Sequence, residues 1–146
     1  MPDSLENQQQ SIEEVQQELI EEFQFLDDWM ERYRYIIDLG RQLEAFPEEW
    51  MNDVYKVKGC QSQVWLKPET VDGRLKFYAA SDATIVSGLI AILLRIYSNR
   101  TAEEILATPP TFIESIGLDE HLSPSRSNGL HSMVQTMFTH AKIAVA

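Results

Sequence analysis

Apolar residues recur with a helical period in the first third of the chain. Ser11 and Glu14 have the form of a capping box, and apolar residues follow them at spacings of three and four. A second helix start comes at Asp28 with Glu31, and Pro47 prevents that helix from continuing. The pattern predicts two amphipathic helices, the first with a strongly acidic outer face.

Gly40 interrupts the apolar stripe of the second predicted helix. A glycine inside a helix costs about 1 kcal/mol of helix stability relative to alanine. We therefore expect Gly40 to mark a place where another element packs closely against this helix.

The hydrophobic period changes to two in the middle of the chain. Residues 54–58, 64–67 and 75–79 alternate apolar and polar side chains. Asp72 and Gly73 form a dipeptide that is typical of a tight hairpin turn. These features predict a three-stranded antiparallel sheet in which consecutive strands are neighbours.

A strongly apolar helix is predicted to follow the sheet. Residues 85–97 are apolar on nearly every side, which is typical of a central, buried helix. Ser81 or Asp82 can cap it. The helix is expected to lie across the sheet.

The remainder of the chain is also predicted to be helical. Capping boxes begin at Thr101 and Thr111, and each has a glutamate three residues later. A last helix is expected to begin near Ser123 and Pro124. The fold class is therefore predicted to be α+β, with the three-stranded antiparallel sheet packed with N-terminal helices and a C-terminal helical half. We expect a disordered tail at residues 1–10 and a single domain at residues 11–146.

Composition limits the possible functions of these 146 residues. Residues 1–53 contain 15 acidic and 3 basic residues, a net charge of −12, whereas residues 54–146 carry a net charge of +1. An acidic chain is repelled by phosphate backbones, so we expect no nucleic-acid partner. The sequence has no leader-like start and no apolar run long enough to span a bilayer, which predicts a cytoplasmic protein with no membrane partner.

Cys60 is the only cysteine of the chain, and it lies in the polar loop of residues 59–63 between two predicted strands. A lone cysteine excludes an intrachain disulfide and a metal site built on several thiolates. A free cysteine is commonly a small buried hydrophobe, but a polar loop is where a reactive thiol is expected. The surrounding strands are basic, and their cations either are simply solvated, or favour a thiolate, or meet an acidic partner. These basic residues are Lys56, Lys58, Lys67, Arg74 and Lys76.

Three histidines accompany the cysteine in the sequence, at positions 121, 131 and 140. A cysteine protease or acyltransferase would need one of them beside Cys60, and no local motif supports such a pair. Their separations of 10 and 9 residues do not form a helical metal pair. No metal site is predicted.

Four blocks of the sequence match one known family in the same order. They are residues 33–40 (YRYIIDLG), 59–65 (GCQSQVW), 81–91 (SDATIVSGLIA) and 122–130 (LSPSRSNGL). In these blocks the chain resembles the SufE-like family, sulfur-acceptor proteins that partner cysteine desulfurases in iron–sulfur cluster assembly. The heptapeptide with its single cysteine is the most specific of the four.

The resemblance implies a role for each block. Cys60 would accept a persulfide sulfur from the desulfurase, and the residues beside it would position the loop. Those loop residues are Gly59, Gln61, Ser62 and Gln63. Arg126 and Asp82 would contribute to partner binding, although a helix cap is the simpler interpretation of Asp82.

The resemblance also implies partners and excludes a resident cofactor. The partners are a SufS-like cysteine desulfurase and a downstream iron–sulfur scaffold complex. Pyridoxal phosphate would belong to the desulfurase, since this chain has no motif for it. We expect an accessory sulfurtransferase that has no turnover by itself. A non-covalent activator of the desulfurase remains an alternative, and an iron–sulfur scaffold is a weaker one because one chain offers one thiolate.

Overall fold

The structure is a computed structural model and describes residues 10–146. The predicted disordered tail falls almost entirely on residues 1–9, outside the described residues. The elements, in chain order, are α1 (Ile12–Gln24), α2 (Trp29–Gly40), a 3₁₀ turn (Glu48–Trp50), β1 (Val64–Val71), β2 (Arg74–Ser81), α3 (Thr84–Tyr97), α4 (Ala102–Ala107), α5 (Phe112–Ile116), α6 (Leu118–His121) and α7 (Pro124–Val145).

Most of the predicted helix starts are confirmed by their hydrogen bonds. Ser11 and Glu14 exchange both bonds of a capping box at the start of α1, and Thr101 does the same with its glutamate at α4. The box predicted at Thr111 is wrong, because that hydroxyl donates instead to the side-chain oxygen of Gln16 on α1. Gln16 also accepts the N–H of Phe112, so α1 supplies the hydrogen bond that the start of α5 needs.

The sheet has two antiparallel strands, so the prediction of three strands is wrong. β1 and β2 pair from Val64 opposite Ser81 to Val71 opposite Arg74, around the predicted turn. Residues 54–58 contribute only an isolated bridge between Lys56 and Trp65. Turns on both sides of that bridge end the pairing after two backbone hydrogen bonds to β1, each 2.8 Å long. Alternation of side chains therefore did not produce a strand here, because too few consecutive residues reach the ladder.

The crossing of α2 over α3 explains Gly40. A Cβ atom added at Gly40 would lie 2.6 Å from the backbone nitrogen of Gly88 on α3, and one added at Gly88 would lie 2.1 Å from the carbonyl oxygen of Ile36. The two helices therefore touch backbone to backbone. The expectation of close packing at Gly40 is confirmed.

α3 is the buried centre of the molecule, as predicted, and its apolar residues belong to the hydrophobic core. Its N-cap is Ala83, which offers no side-chain hydrogen bond, so the prediction that Ser81 or Asp82 caps this helix is wrong. The long helix α7 begins after Ser123, where a cap was predicted, and packs against α3 and α4. No helix formed by residues 10–146 is both long and apolar enough to cross a membrane.

Candidate functional site

The loop that carries Cys60 runs from the isolated bridge to the start of β1 and lies against α7. Gly59 immediately precedes the cysteine, and its φ of +89° belongs to the left-handed region that favours glycine. A Cβ atom at this position would also lie 2.5 Å from the hydroxyl oxygen of Ser132 on α7. Two independent constraints, backbone conformation and space, therefore favour glycine immediately before the cysteine.

Asp82 closes the other end of the loop. Its carboxylate accepts a hydrogen bond from the backbone N–H of Gln63 at 3.1 Å. Its own N–H donates to the carbonyl oxygen of Gln63 at 3.3 Å. Asp82 therefore ties the cysteine loop to the junction of β2 and α3, and the helix-cap interpretation favoured on sequence is wrong.

The thiol of Cys60 is half-buried and points towards α7. Its sulfur lies 3.7 Å from the carbonyl oxygen of Gly129, to which the thiol donates. A Cβ atom at Gly129 would be 3.5 Å from this sulfur, an ordinary van der Waals distance. Burial raises the pKa of the Cys60 thiol above its usual value, so the resting site favours the protonated, less nucleophilic form.

A cavity of about 290 Å³ opens beside the thiol. Apolar side chains of β1, α3 and α7 form part of its wall, namely Val64, Val86, Leu89, Leu130 and Met133. Polar groups complete the lining, namely Gln61, Ser62, Ser123, Ser125 and Arg126. The cavity therefore offers space next to the sulfur with both apolar and polar surroundings.

Arg126 is exposed in the first turn of α7, where it lines the cavity. Its backbone N–H donates to the cap residue Ser123. Its guanidinium makes no ion pair within residues 10–146. The structure thus brings Arg126 and Cys60 to one cavity, and the partner-binding role of Arg126 remains a prediction.

The basic residues around the cysteine fall into two groups. Lys67, Arg74 and Lys76 each lie within 4 Å of a carboxylate, at distances of 3.5, 3.7 and 3.4 Å. Lys56 and Lys58, which are nearest to Cys60 in sequence, are exposed. Neither forms an ion pair with a described carboxylate. The cysteine loop therefore lies next to cations that the described part of the chain leaves unpaired.

None of the three histidines lines the cavity. His121 stacks on Trp29 at a centroid distance of 4.0 Å, and His131 contacts the carboxylate of Asp119 at 2.9 Å. Burial lowers the pKa of His140. Residues 10–146 contain no group of three or more side chains able to hold a metal ion. The arrangement supplies a single sheltered thiol without an adjacent general base.

Two residues of the site had no role assigned from sequence. Gly129 supplies the carbonyl that accepts the thiol hydrogen bond, and Ser132 fixes the space at Gly59. A glycine within the predicted last helix was the available signal for the first, since glycine there costs helix stability. No sequence signal marks Ser132, because its role depends on where α7 crosses the loop.

Comparison with known proteins gives one consistent family. Residues 17–141 match the SufE family, described as the Fe-S metabolism associated domain. An uncharacterized SufE-like protein of Rhizobium etli is 47% identical over 134 residues, which cover 88% of this chain and 90% of the relative. A SufE-like protein of Synechocystis is 37% identical over 123 residues, which cover 84% of this chain and 77% of the relative.

The fold is shared with a solved structure as well. A hypothetical protein of Thermus thermophilus superimposes with a TM-score of 0.74 over 90% of this chain and 96% of that protein, at 20% identity. This likeness supports the α+β fold alone. On the sequence matches, the chain belongs to the SufE family of proteins associated with iron–sulfur metabolism.

Proposed function

We propose that this protein accepts a persulfide sulfur from a SufS-like cysteine desulfurase onto Cys60, stimulates that enzyme and delivers the sulfur to iron–sulfur cluster assembly. The observation that carries the proposal is the lone thiol at a cavity, beside unpaired cations and without an adjacent base. Sulfur relay needs one thiol and free space beside it, whereas hydrolytic chemistry needs a base as well. Family membership supports the same assignment.

The transfer is a displacement at sulfur. The Cys60 thiolate attacks the terminal sulfur of a persulfide on the desulfurase cysteine. A bond forms between the Cys60 sulfur and the terminal sulfur, while the sulfur–sulfur bond of the donor breaks. The electron pair of that bond leaves with the desulfurase cysteine, which becomes a thiolate. No external oxidant or reductant is needed, and Cys60 becomes the persulfide.

The resting position of the thiol requires a movement before this reaction. Burial and the hydrogen bond to Gly129 hold Cys60 in its protonated form. Docking of the partner is expected to draw the loop outwards about Gly59, which restores hydration to the thiol and lowers its pKa. On return, the cavity provides room for the additional sulfur, away from thiols in solution.

The other loop residues have positioning roles in this proposal. Gln61 and Ser62 line the cavity and do not titrate near neutral pH, so they orient the sulfur without moving protons. Asp82 holds the closed loop through Gln63. Arg126 meets the partner or the persulfide anion at the mouth of the cavity.

The activity assay that tests the proposal uses a purified desulfurase with cysteine as substrate. Wild-type protein should raise the turnover of the desulfurase. Cys60→Ser should not stimulate the enzyme and should at most compete weakly for it. The protein alone should release no sulfide from cysteine, because pyridoxal phosphate belongs to the desulfurase. Sulfide release by protein free of any partner would contradict the accessory role.

A non-covalent activator is the second candidate function. The raised pKa of Cys60 favours it, because an activator needs no thiolate. Stimulation by Cys60→Ser equal to that by the wild type would support the activator and contradict the carrier. With the carrier function we also propose a cytoplasmic location, a downstream iron–sulfur scaffold complex as acceptor and a single domain at residues 11–146.

A further inference from the structure

Lys56 and Lys58 differ in their surroundings from Lys67 and Lys76, which lie in the two strands. The chain is strongly acidic, with 23 acidic and 12 basic residues, so carboxylates are abundant. Lys67 pairs with Glu69, and Lys76 pairs with Glu44. Lys56 and Lys58 are exposed. No carboxylate of residues 10–146 lies within ion-pair distance of either of them.

These two lysines lie close to the cysteine in sequence, and Arg126 lines the cavity beside it. Lys58 precedes Cys60 by two residues, and Lys56 forms the bridge to Trp65 near the start of β1. Arg126 lines the cavity from the α7 side. We name Lys56, Lys58 and Arg126 the cationic rim. Asp82 is the carboxylate hydrogen-bonded to this loop, and it is engaged with the N–H of Gln63.

The cationic rim does not serve to ionise the thiol in the free protein. Burial raises the pKa of Cys60, so the resting site favours the protonated thiol. Lysines in solvent are screened within about 8 Å at physiological ionic strength. The sequence allowed two functional roles for these lysines, to favour a thiolate at Cys60 or to contact an acidic partner. The resting structure does not support the first role, so the second remains.

Protection of a sheet edge is the competing structural explanation. Lysines on an edge discourage pairing with other strands, and Lys56 lies at the outer side of β1. Edge protection needs a charged side chain at this position, and a negative charge would serve as well as a positive one. It makes no demand on Arg126, which lies on a helix. The two explanations therefore differ when the sign of the charge is reversed.

We propose that the cationic rim docks an acidic surface surrounding the active-site cysteine of the desulfurase, and that this attraction brings the partner onto Cys60. The inference rests on the proposed function and adds the chemistry of the partner surface. Complementary charges around an interface raise the association rate and fix the register of the two proteins. Val54, which is 82% exposed, adds an apolar contact beside the lysines.

The test measures binding apart from sulfur transfer. The full chain is titrated with a SufS-like desulfurase whose own cysteine is alkylated, at ionic strengths from roughly 50 to 300 mM. Lys56→Glu with Lys58→Glu should weaken binding by about tenfold at the lowest salt and flatten the dependence of Kd on salt. Arg41→Glu with Lys142→Glu changes the net charge by the same amount at two exposed residues away from the cavity, so it is the matched control and should bind like the wild type.

Other outcomes separate the explanations. A double variant that binds within about twofold of the wild type, with the same salt dependence, would overturn the inference and favour edge protection. If the wild type self-associates and the double variant does not, the cationic rim binds the acidic residues 1–53 of a second copy, which would contradict the inference. Charge-dependent binding without sulfur on Cys60 would support the cationic rim and contradict the carrier function. Sulfur transfer with charge-independent binding would overturn the cationic rim alone.

Discussion

Two interfaces of this protein are built on glycine, and they differ in how tightly they close. Between α2 and α3, a Cβ atom at Gly88 would lie 2.1 Å from the backbone oxygen of Ile36. Between the cysteine loop and α7, a Cβ atom at Gly129 would lie 3.5 Å from the sulfur of Cys60. The first contact joins two backbones, which cannot move aside. The second interface also has a close approach, 2.5 Å between a Cβ atom at Gly59 and the Ser132 hydroxyl, but its contacts are with side chains beside a cavity, and side chains can move.

The surrounding bonds reinforce this difference. α3 is held to α1 by Arg95, which contacts Glu22 at 2.6 Å and Glu18 at 3.1 Å. The cysteine loop is held by the Gly129 carbonyl at 3.7 Å and by two hydrogen bonds between Asp82 and the backbone of Gln63, of 3.1 and 3.3 Å. The contacts are shorter in the core than at the thiol, which is the arrangement that the proposed loop movement requires.

The largest expected effect comes from Gly88→Ala. The added methyl group would collide with backbone, which cannot move aside as a side chain can, so the free energy of unfolding should fall by about 3 kcal/mol. Urea unfolding measures it. Gly73→Ala is the control, since that glycine has positive φ but nothing within 4 Å. It should lose only about 1 kcal/mol. Equal losses in the two variants would contradict the tight α2–α3 contact.

Gly59→Ala should have an intermediate effect. Left-handed backbone costs alanine about 1 kcal/mol, and the contact with Ser132 adds to it, so a loss of about 1–2 kcal/mol is expected. Adding Ser132→Ala should recover the part of the lost stability that comes from the contact with Ser132. The part that comes from the left-handed backbone should remain. A double variant no more stable than Gly59→Ala would show that the crossing with α7 is looser than described.

Gly129→Ala should act in the opposite direction. The methyl group fits at ordinary distance from Cys60, and alanine is the better helix former, so unfolding should require up to about 1 kcal/mol more free energy. This variant is the direct counterpart of Gly88→Ala. A loss of stability comparable to that variant would remove the distinction between the two interfaces.

Substitution of Asp82 should change stability the least, so its effect is measured through the alkylation rate of Cys60. Because burial raises the pKa of Cys60, less thiolate is present at a given pH, so alkylation should be several-fold slower than in the urea-unfolded chain and should reach its midpoint at higher pH. Asp82→Ala should loosen the loop and accelerate alkylation. Asp82→Asn keeps the acceptor oxygen and should remain close to wild type. Equal rates in the folded and unfolded chains would show that the resting thiol has no shelter.

The sequence predicted local features better than contacts between distant segments. Most helix starts, the turn at Asp72 and the polar loop of Cys60 depend on neighbouring residues, and they agree with the structure. Gly40 was informative because glycine is costly in a helix, and Gly88 carries the same signal, but neither glycine identifies the other as its neighbour. Contacts across the chain depend on how the elements cross, which periodicity does not contain.

Two wrong predictions illustrate the same limit. Residues 54–58 alternate like a strand, yet a strand also needs a partner over several residues, and the flanking turns allow a bridge only. Asp82 has the residue type of a helix cap, yet its carboxylate accepts the N–H of Gln63 in the loop instead. The placement of Cys60 in a loop was predictable. The wall that shelters it, formed by α7, was not.

The most direct test of the account is the mass of the intact protein after incubation with a SufS-like desulfurase and cysteine. The wild type should gain the mass of one sulfur atom, peptide mapping should place it on Cys60, and a reducing thiol should remove it. Cys60→Ser should gain nothing under the same conditions. A wild type that stimulates the desulfurase without gaining sulfur would contradict the acceptor function.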